Sequence, residues 1–225
     1  MLSVLLLILP HLLQSRAQNV SSKRGLVYVA SEYPSDDSIW DADNSDLTWY
    51  YNYSPYPTDG LDHSKLEFVP MLWGTDGADG FHSTIEGLID GGLDVKHVLG
   101  FNEPDGCVGG GSCTDAKKAA QLWKDEIEPL KKLGVSLGAP AVTGSPRGMA
   151  WLEDFQKECE GGCTIDFLPV HWYGNFEGMA GYIGGISAAY QNLSTWVTEF
   201  GEFDVRLEEA QLFFHQSIGF LDDLP

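Results

Sequence analysis

Two glutamates each end an apolar run and precede a turn. Glu103 lies in VLGFNEPD at 98–105, and Glu199 lies in WVTEFGE at 196–202. Two converging carboxylates can hydrolyse a glycosidic bond, with retention when they are about 5–5.5 Å apart and with inversion at about 6.5–9.5 Å. The alternative is that each glutamate only pairs with a cation near a strand end. The chain has 13 Lys and Arg against 33 Asp and Glu, so such partners are scarce.

A strand–helix alternation surrounds these glutamates. Several apolar runs lack polar alternation, as strands of a covered parallel sheet do. Helices are predicted from Thr114, which we take as a cap, to Gly134, from Pro146, and from Leu207, with weaker patterns at 82–90 and 176–190. Strands are predicted at 24–30, 47–53, 66–73, 97–103, 136–142, 165–173 and 194–200.

This order predicts an α/β fold, a (β/α)8 TIM-type barrel. A doubly wound sheet is the alternative, but no GxGxxG follows the first strand. In a barrel, the C-terminal strand ends form the active face, so Glu103 on the fourth strand and Glu199 on the seventh can converge. The strand spacing places an eighth strand at about 223, so we expect it to be missing at the C-terminus.

The N-terminus reads as a signal peptide. Residues 1–13 (MLSVLLLILPHLL) have h-region length, and Ser15 and Ala17 suit a cut after residue 17. The run is too short to span a bilayer; a buried helix or an uncleaved anchor are the alternatives. We expect a signal peptide at 1–17, a short lead-in at 18–23 and a catalytic barrel at 24–225. The mature protein would be secreted, extracellular or in a cell wall.

Four cysteines agree with export. An even number in a secreted chain indicates disulfides, and three connectivities are open; short local loops favour Cys107–Cys113 and Cys159–Cys163. A zinc site is the alternative, but the first spacing is wide for a ligand pair. Asn19, Asn52 and Asn192 lie in glycosylation sequons. Asn192, in a polar loop, and Asn19 are the glycosylation candidates, whereas the aromatic setting of Asn52 favours another role, in substrate binding.

Composition narrows the class of partner. The net charge of −20 and the sequence pI near 4.4 disfavour nucleic acid. Hydrophobic residues at 43% and charged residues at 20% exclude a disordered chain. The generous aromatic content, 12%, is typical of a ring-binding or sugar-binding surface. We expect a monomer that, once the signal is removed, binds no membrane.

Six blocks in order carry a family resemblance: KRGLVYV, WYYNY, FVPMLWG, VLGFNEPD, DFLPVHWYG and WVTEFGE. Together they are similar to glycoside hydrolase family 128, from Lys23 to the C-terminus. The resemblance implies a TIM barrel, and fungal members include endo-β-1,3-glucanases and cell-wall proteins. We expect no metal or organic cofactor, because this chemistry needs only two carboxylates and water. Members continue past the final LP with a further strand, which this sequence lacks.

The resemblance implies roles for individual residues. Glu103 matches the acid/base, Glu199 the nucleophile, and Asn102 the amide that hydrogen-bonds the sugar 2-hydroxyl. The substrate-binding candidates are Trp73, Asn52, His171, Trp172 and Tyr173.

Ordinary structural roles compete with several of these interpretations. His171 could equally be a buried histidine that orients a carboxylate. Trp196 alternates with Glu199 and is therefore expected to face the outer helices. Asp105 and Glu202 are expected to be solvent-facing loop carboxylates.

The sequence thus predicts a secreted, retaining endo-β-1,3-glucanase that cleaves cell-wall β-glucan by double displacement. Another β-glycanase activity, such as β-1,6-glucanase or β-mannanase, is one alternative, because linkage preference depends on loop shape. A non-catalytic, glucan-binding cell-wall protein is the other.

Overall fold

The computed structural model describes residues 23–29, 39–40, 42–61 and 65–224. The predicted signal peptide at 1–17 and the sequon at Asn19 lie outside these residues. Among them, no helix is both long and apolar enough to cross a membrane.

Seven parallel strands follow one another in chain order. Hydrogen-bonded ladders run β1-β2-β3 and β4-β5-β6-β7, and a parallel bridge between Met71 and Leu99 joins the two groups. All seven predicted strands are confirmed, and β7 ends just past its predicted boundary. They are β1 (Gly25–Val27), β2 (Trp49–Tyr51), β3 (Glu67–Phe68), β4 (His97–Leu99), β5 (Ser136–Gly138), β6 (Phe167–Tyr173) and β7 (Ser194–Gly201).

Helices connect the later strands, and the two weaker helix predictions are also confirmed. They are α1 (Phe81–Asp90), α2 (Ala116–Leu122), α3 (Pro146–Cys159), α4 (Phe176–Ala189) and α5 (Leu207–Asp223). Short 3₁₀ turns lie at Asp59–Leu61 and Glu128–Leu133.

The segment after α2 differs from the single helix that the sequence predicted. It continues as a π-turn at Trp123–Ile127 and as the 3₁₀ segment at Glu128–Leu133. Pro129 has no N–H and cannot continue an α-helical ladder, which explains the change. The cap was also misplaced: the side chain of Asp115, not Thr114, accepts the N–H groups of the first turn.

Alternation along the strands creates two apolar layers. On β4, Val98 packs outward into the large cluster beneath the helices, which includes Trp123 and Phe155. Leu99 faces the opposite way, into an interior cluster with Tyr51 and other strand residues. The helices therefore cover the outside of a curved parallel sheet whose inner face has its own core.

The prediction for Trp196 is wrong. The register pairs Val170 with Val197 but His171 with Glu199, so Thr198 is an extra residue on β7. This bulge resets the alternation and brings Trp196 and Glu199 to the same inner face. Trp196 accordingly packs among the interior aromatics instead of facing the helices.

The first and last strands, β1 and β7, approach each other. Nearby contacts join the same regions: the rings of Trp49 on β2 and Trp196 on β7 are 4.9 Å apart, and Arg24, just before β1, binds Asp222 near the end of α5 at 2.6 Å. The position that strand spacing assigned to an eighth strand, 223, is the last residue of α5, and no eighth strand lies among the described residues. The architecture is α/β with consecutive parallel strands, as predicted.

Candidate active site

Glu103 follows β4 in an unusual backbone conformation. Its φ of 40° is left-handed, which costs a non-glycine residue on the order of 1–3 kcal/mol. Its N–H donates to the Ala141 carbonyl at 2.7 Å, which ties it to the segment after β5. Asp105 reinforces this contact, because its carboxylate accepts from the Thr143 N–H at 2.9 Å and hydroxyl at 2.6 Å. Asp105 is therefore buried, and its predicted solvent-facing position is wrong.

His171 lies between the two glutamates. It is fully buried, with Nδ1 2.9 Å from Glu103 Oε1 and Nε2 3.5 Å from Glu199 Oε1. Since His171 and Tyr173 are two apart on β6, both point to the inner face. The alternative in which His171 orients a carboxylate therefore describes its position better than direct sugar contact does.

Tyrosine hydroxyls surround the carboxylate of Glu199. Tyr53 donates to Oε1 at 2.8 Å, Tyr173 to Oε2 at 2.9 Å, and Tyr51 lies 3.4 Å from Oε1. Burial, reinforced by the negative charge of Glu199, raises the pKa of all three phenols above the ordinary value. The three phenols therefore stay protonated and can donate hydrogen bonds to the Glu199 carboxylate.

Sequence reasoning missed Tyr51 and Tyr53. They lie in the aromatic block WYYNY, which was used only for the family resemblance. The block ends the second strand, and that position at the C-terminal edge is the signal that would have identified them.

The two carboxylates converge as the strand order predicted. An oxygen of Glu103, a ring nitrogen of His171 and an oxygen of Glu199 all lie within 4.8 Å of one another. Among the described residues, this is also the group whose donor atoms are close enough to hold a metal ion. The two side chains are 14% and 9% exposed, which leaves each carboxylate largely shielded but reachable from one side.

A cleft of about 630 Å³ opens over these carboxylates. Exposed aromatic rings line it: Trp73 after β3, Tyr173 at the end of β6 and Phe203 after β7. The rings of Tyr173 and Phe203 are 6.0 Å apart. Phe203, in the GEFD sequence just past Glu199, was also missed; its exposure beside the site shows a role that its residue type alone could not.

Two predicted substrate-binding residues lie elsewhere. Trp172 points opposite to its neighbours on β6, and its Nε1 donates to the Asn175 carbonyl at 3.0 Å while its ring packs beside Tyr182. The amide of Asn52 donates to the Tyr56 carbonyl and the Thr58 hydroxyl, both at 2.9 Å, and so holds a turn. Neither residue lines this cleft, and their roles in substrate binding stay predictions.

The structure also places the remaining predicted residues: Asn102, the four cysteines and Asn192. Asn102 lines the cleft next to Glu103 and is 4% exposed. Both favoured disulfides are confirmed, Cys107–Cys113 beside the cleft and Cys159–Cys163 at the end of α3. Asn192 is exposed in the turn before β7, and its glycosylation stays a prediction.

A parallel α/β fold with paired carboxylates at its C-terminal edge defines a glycoside hydrolase core. The chain belongs to the glycosyl hydrolase catalytic core family, whose model matches residues 25–225. Alkali-sensitive linkage protein 1 of Schizosaccharomyces pombe is 33% identical over 215 residues, 91% of this chain. The chain spans 37% of that relative's length.

Solved structures of glycoside hydrolase family 128 share the fold, which confirms the family resemblance. A curdlan-specific exo-β-1,3-glucanase from Blastomyces gilchristii, solved with glucose, is 29% identical with a TM-score of 0.73, over 92% of this chain and 87% of that one. An endo-β-1,3-glucanase from Amycolatopsis mediterranei, a glutamate-to-alanine variant with laminaritriose and laminaribiose, is 25% identical with a TM-score of 0.71, over 90% and 84%.

Proposed function

We propose that this chain is a retaining β-1,3-glucan hydrolase, with Glu199 as nucleophile and Glu103 as acid/base. The observation that carries the proposal is the convergence of both carboxylates on His171, with oxygen atoms within 4.8 Å of each other. That proximity fits direct attack by one carboxylate better than the wider gap that an inverting enzyme needs for water.

The surroundings of the two carboxylates support different roles. Glu199 receives hydrogen bonds from Tyr53 and Tyr173, which hold its carboxylate in place. Among the described residues, Glu103 has one side-chain hydrogen-bond partner, His171. A carboxylate held in place by several donors suits the nucleophile, which must attack from a fixed position, and this leaves Glu103 as the acid/base.

The reaction then proceeds in two displacements. Glu199 attacks the anomeric carbon while protonated Glu103 transfers its proton to the leaving glycosidic oxygen, so that a glycosyl ester forms and the leaving sugar departs neutral. In the second step Glu103 takes a proton from water, the hydroxide oxygen bonds to the anomeric carbon, and the ester bond to Glu199 breaks. His171 keeps Glu103 in place throughout.

β-1,3-Glucan is the substrate class that the relatives support. The neighbours named above act on β-1,3-glucans, and one holds laminari-oligosaccharides. Exposed rings line the cleft, Trp73 after β3 and Tyr173 with Phe203 at the ends of β6 and β7, and they offer platforms for several sugar units. This arrangement favours internal cleavage of the glucan chain. We also propose that the protein is secreted and acts on cell-wall glucan, which agrees with its two disulfides.

Product analysis on a linkage panel tests the proposal. Wild-type protein is incubated with laminarin, curdlan, a β-1,6-glucan and a β-mannan, beside E103Q and E199Q. We expect hydrolysis of the β-1,3-glucans alone, oligosaccharides of mixed length from the start, and loss of at least about 10³-fold in both variants. The first anomer seen by proton NMR should be β.

Three results would contradict parts of this account. Early release of glucose only would replace internal by terminal cleavage. An α anomer formed first would exclude double displacement. A folded wild-type protein that binds laminarin without hydrolysing it would favour the glucan-binding alternative.

A further inference from the structure

The amide of Asn102 is held in one orientation from behind. Its Nδ2 donates to the Gly110 carbonyl at 3.0 Å, while its Oδ1 is buried and has no hydrogen-bond partner among the described residues. A buried acceptor without a partner costs free energy that a ligand donor can recover. Asn102 lines the cleft beside Glu103, where the donors of a bound sugar are its hydroxyl groups.

The Gly110 carbonyl belongs to a loop that folds back on the catalytic segment. We call residues 106–113 the glycine loop. The Ser112 N–H donates to the Asn102 carbonyl and the Gly106 N–H to the Glu103 carbonyl, both at 2.9 Å. A Cβ on Gly111 would lie 2.3 Å from the Gly106 oxygen and 2.8 Å from the Glu103 oxygen. The loop therefore rests directly on the backbone of both site residues.

The Cys107–Cys113 disulfide closes this loop on its outer side. Both cysteines are exposed, and Gly109 and Gly110 have φ values of 68° and 97°. Consecutive glycines confer large backbone freedom, which would let the Gly110 carbonyl leave its position. A covalent closure reduces that freedom without adding bulk to the cleft wall.

We propose that the disulfide-closed glycine loop is a positioning element, which fixes the Asn102 amide so that Oδ1 accepts a hydrogen bond from a hydroxyl of the bound glucan. This inference rests on the proposed function for the identity of the sugar. The Gly110 carbonyl, Cys107 and Cys113 act through Asn102 and need not touch the substrate.

A double-mutant cycle tests whether the loop acts through Asn102. Laminarihexaose binding is measured by calorimetry in an E199Q background, where turnover does not interfere. The C107S/C113S pair is introduced with and without N102A, and C159S/C163S serves as the matched disulfide control. We expect opening the glycine loop to weaken binding roughly three- to tenfold, but less than about twofold when N102A is present. The control pair should change binding less than about twofold.

Equal losses with and without N102A would overturn the inference, because a loop that only shapes the fold would weaken both proteins alike. If C107S/C113S does not fold, mild reduction of the folded E199Q protein opens the exposed bridge, and the same comparison is made. Coupling without any wild-type hydrolysis overturns the catalytic proposal alone. An E199Q protein that binds no laminarihexaose overturns this inference as well.

Discussion

The molecule contains two carboxylate–histidine pairs of nearly the same geometry at opposite ends of its strands. Glu103 and His171 are 2.9 Å apart at the C-terminal ends, and Glu67 and His97 are 2.7 Å apart at the N-terminal ends. Both histidines contact the carboxylate through Nδ1. Local pairing therefore does not distinguish the two pairs.

The surroundings of the two pairs do distinguish them. His171 has a second carboxylate, Glu199, on its other nitrogen, and an open cleft lies above both acids. His97 instead packs against the rings of Phe167 and Trp196, at centroid distances of 5.6 and 4.9 Å. Among the described residues, no second acid lies within 4.0 Å of a ring nitrogen of His97. We call Glu103–His171 the upper pair and Glu67–His97 the lower pair. These surroundings suit the upper pair to the proposed chemistry and the lower pair to packing, as is general for the C-terminal and N-terminal strand ends of TIM barrels.

Truncating Trp196, which packs among aromatic rings near the N-terminal ends of the strands, should have the largest effect on stability. Trp196→Ala deletes a ring that packs on Trp49, Phe167 and His97, so the free energy of unfolding should fall by about 3 kcal/mol. Denaturant unfolding measures this, with Trp196→Phe as the milder control. If Trp196→Ala left stability unchanged but abolished hydrolysis, the lower end would not be the structural one.

Replacing each histidine by asparagine tests the difference between the two pairs directly. In His171→Asn, the new side chain cannot contact both carboxylates, so Glu103 loses its position. We expect kcat to fall about 100-fold as a result. His97→Asn removes the matched lower pair and should leave kcat within about twofold while lowering stability. Steady-state kinetics on laminarin gives both values. Similar kcat losses in the two variants would refute the distinction.

A smaller effect is expected at the rim. Tyr173→Phe removes one donor to Glu199, and because the tyrosine is half exposed, kcat/KM should fall only roughly three- to tenfold. Tyr182→Phe is the control, since that buried hydroxyl has no hydrogen-bond partner among the described residues. An unchanged kcat/KM in Tyr173→Phe would mean that this phenol does not assist Glu199.

The smallest effect concerns alkaline pH. Burial, then the charge of Glu199, raises the pKa of Tyr53 and Tyr173. The pKa of each phenol is therefore higher in the folded than in the unfolded protein. The resulting contribution to stability is fully present below the unfolded pKa of about 10 and is lost as pH rises towards the folded pKa. In E199Q the charge is gone, so these phenols should ionise at lower pH, with a smaller total loss of stability. Absorbance at 295 nm follows the titration; superimposable curves would contradict the account.

The sequence was sufficient for the strand order and for the convergence of Glu103 and Glu199, because apolar runs and their terminal acids are local patterns. It failed for the orientation of Trp196, since a single bulge at Thr198 reverses the alternation and no residue type in this strand predicts a bulge. The HWY block was likewise treated as one unit, although alternate residues of a strand face opposite sides and Trp172 therefore points away from His171 and Tyr173.

Contacts between residues that are far apart in the sequence could not be predicted either. Tyr53 meets Glu199, and Asp105 meets Thr143, only because the sheet brings their loops together. Asn52 looked like a site residue from its aromatic neighbours, yet its amide satisfies a local turn. The donors and acceptors of a site are set by tertiary geometry, which spacing in one sequence does not encode.

The most direct measurement compares E103Q with E67Q, each assayed for kcat on laminarin and for the free energy of unfolding. We predict that E103Q loses at least about 10³-fold in kcat with little change in stability, whereas E67Q keeps kcat within about twofold and loses about 1–3 kcal/mol of stability. An E103Q protein that still hydrolyses laminarin at the wild-type rate would contradict the central claim that the upper pair is catalytic.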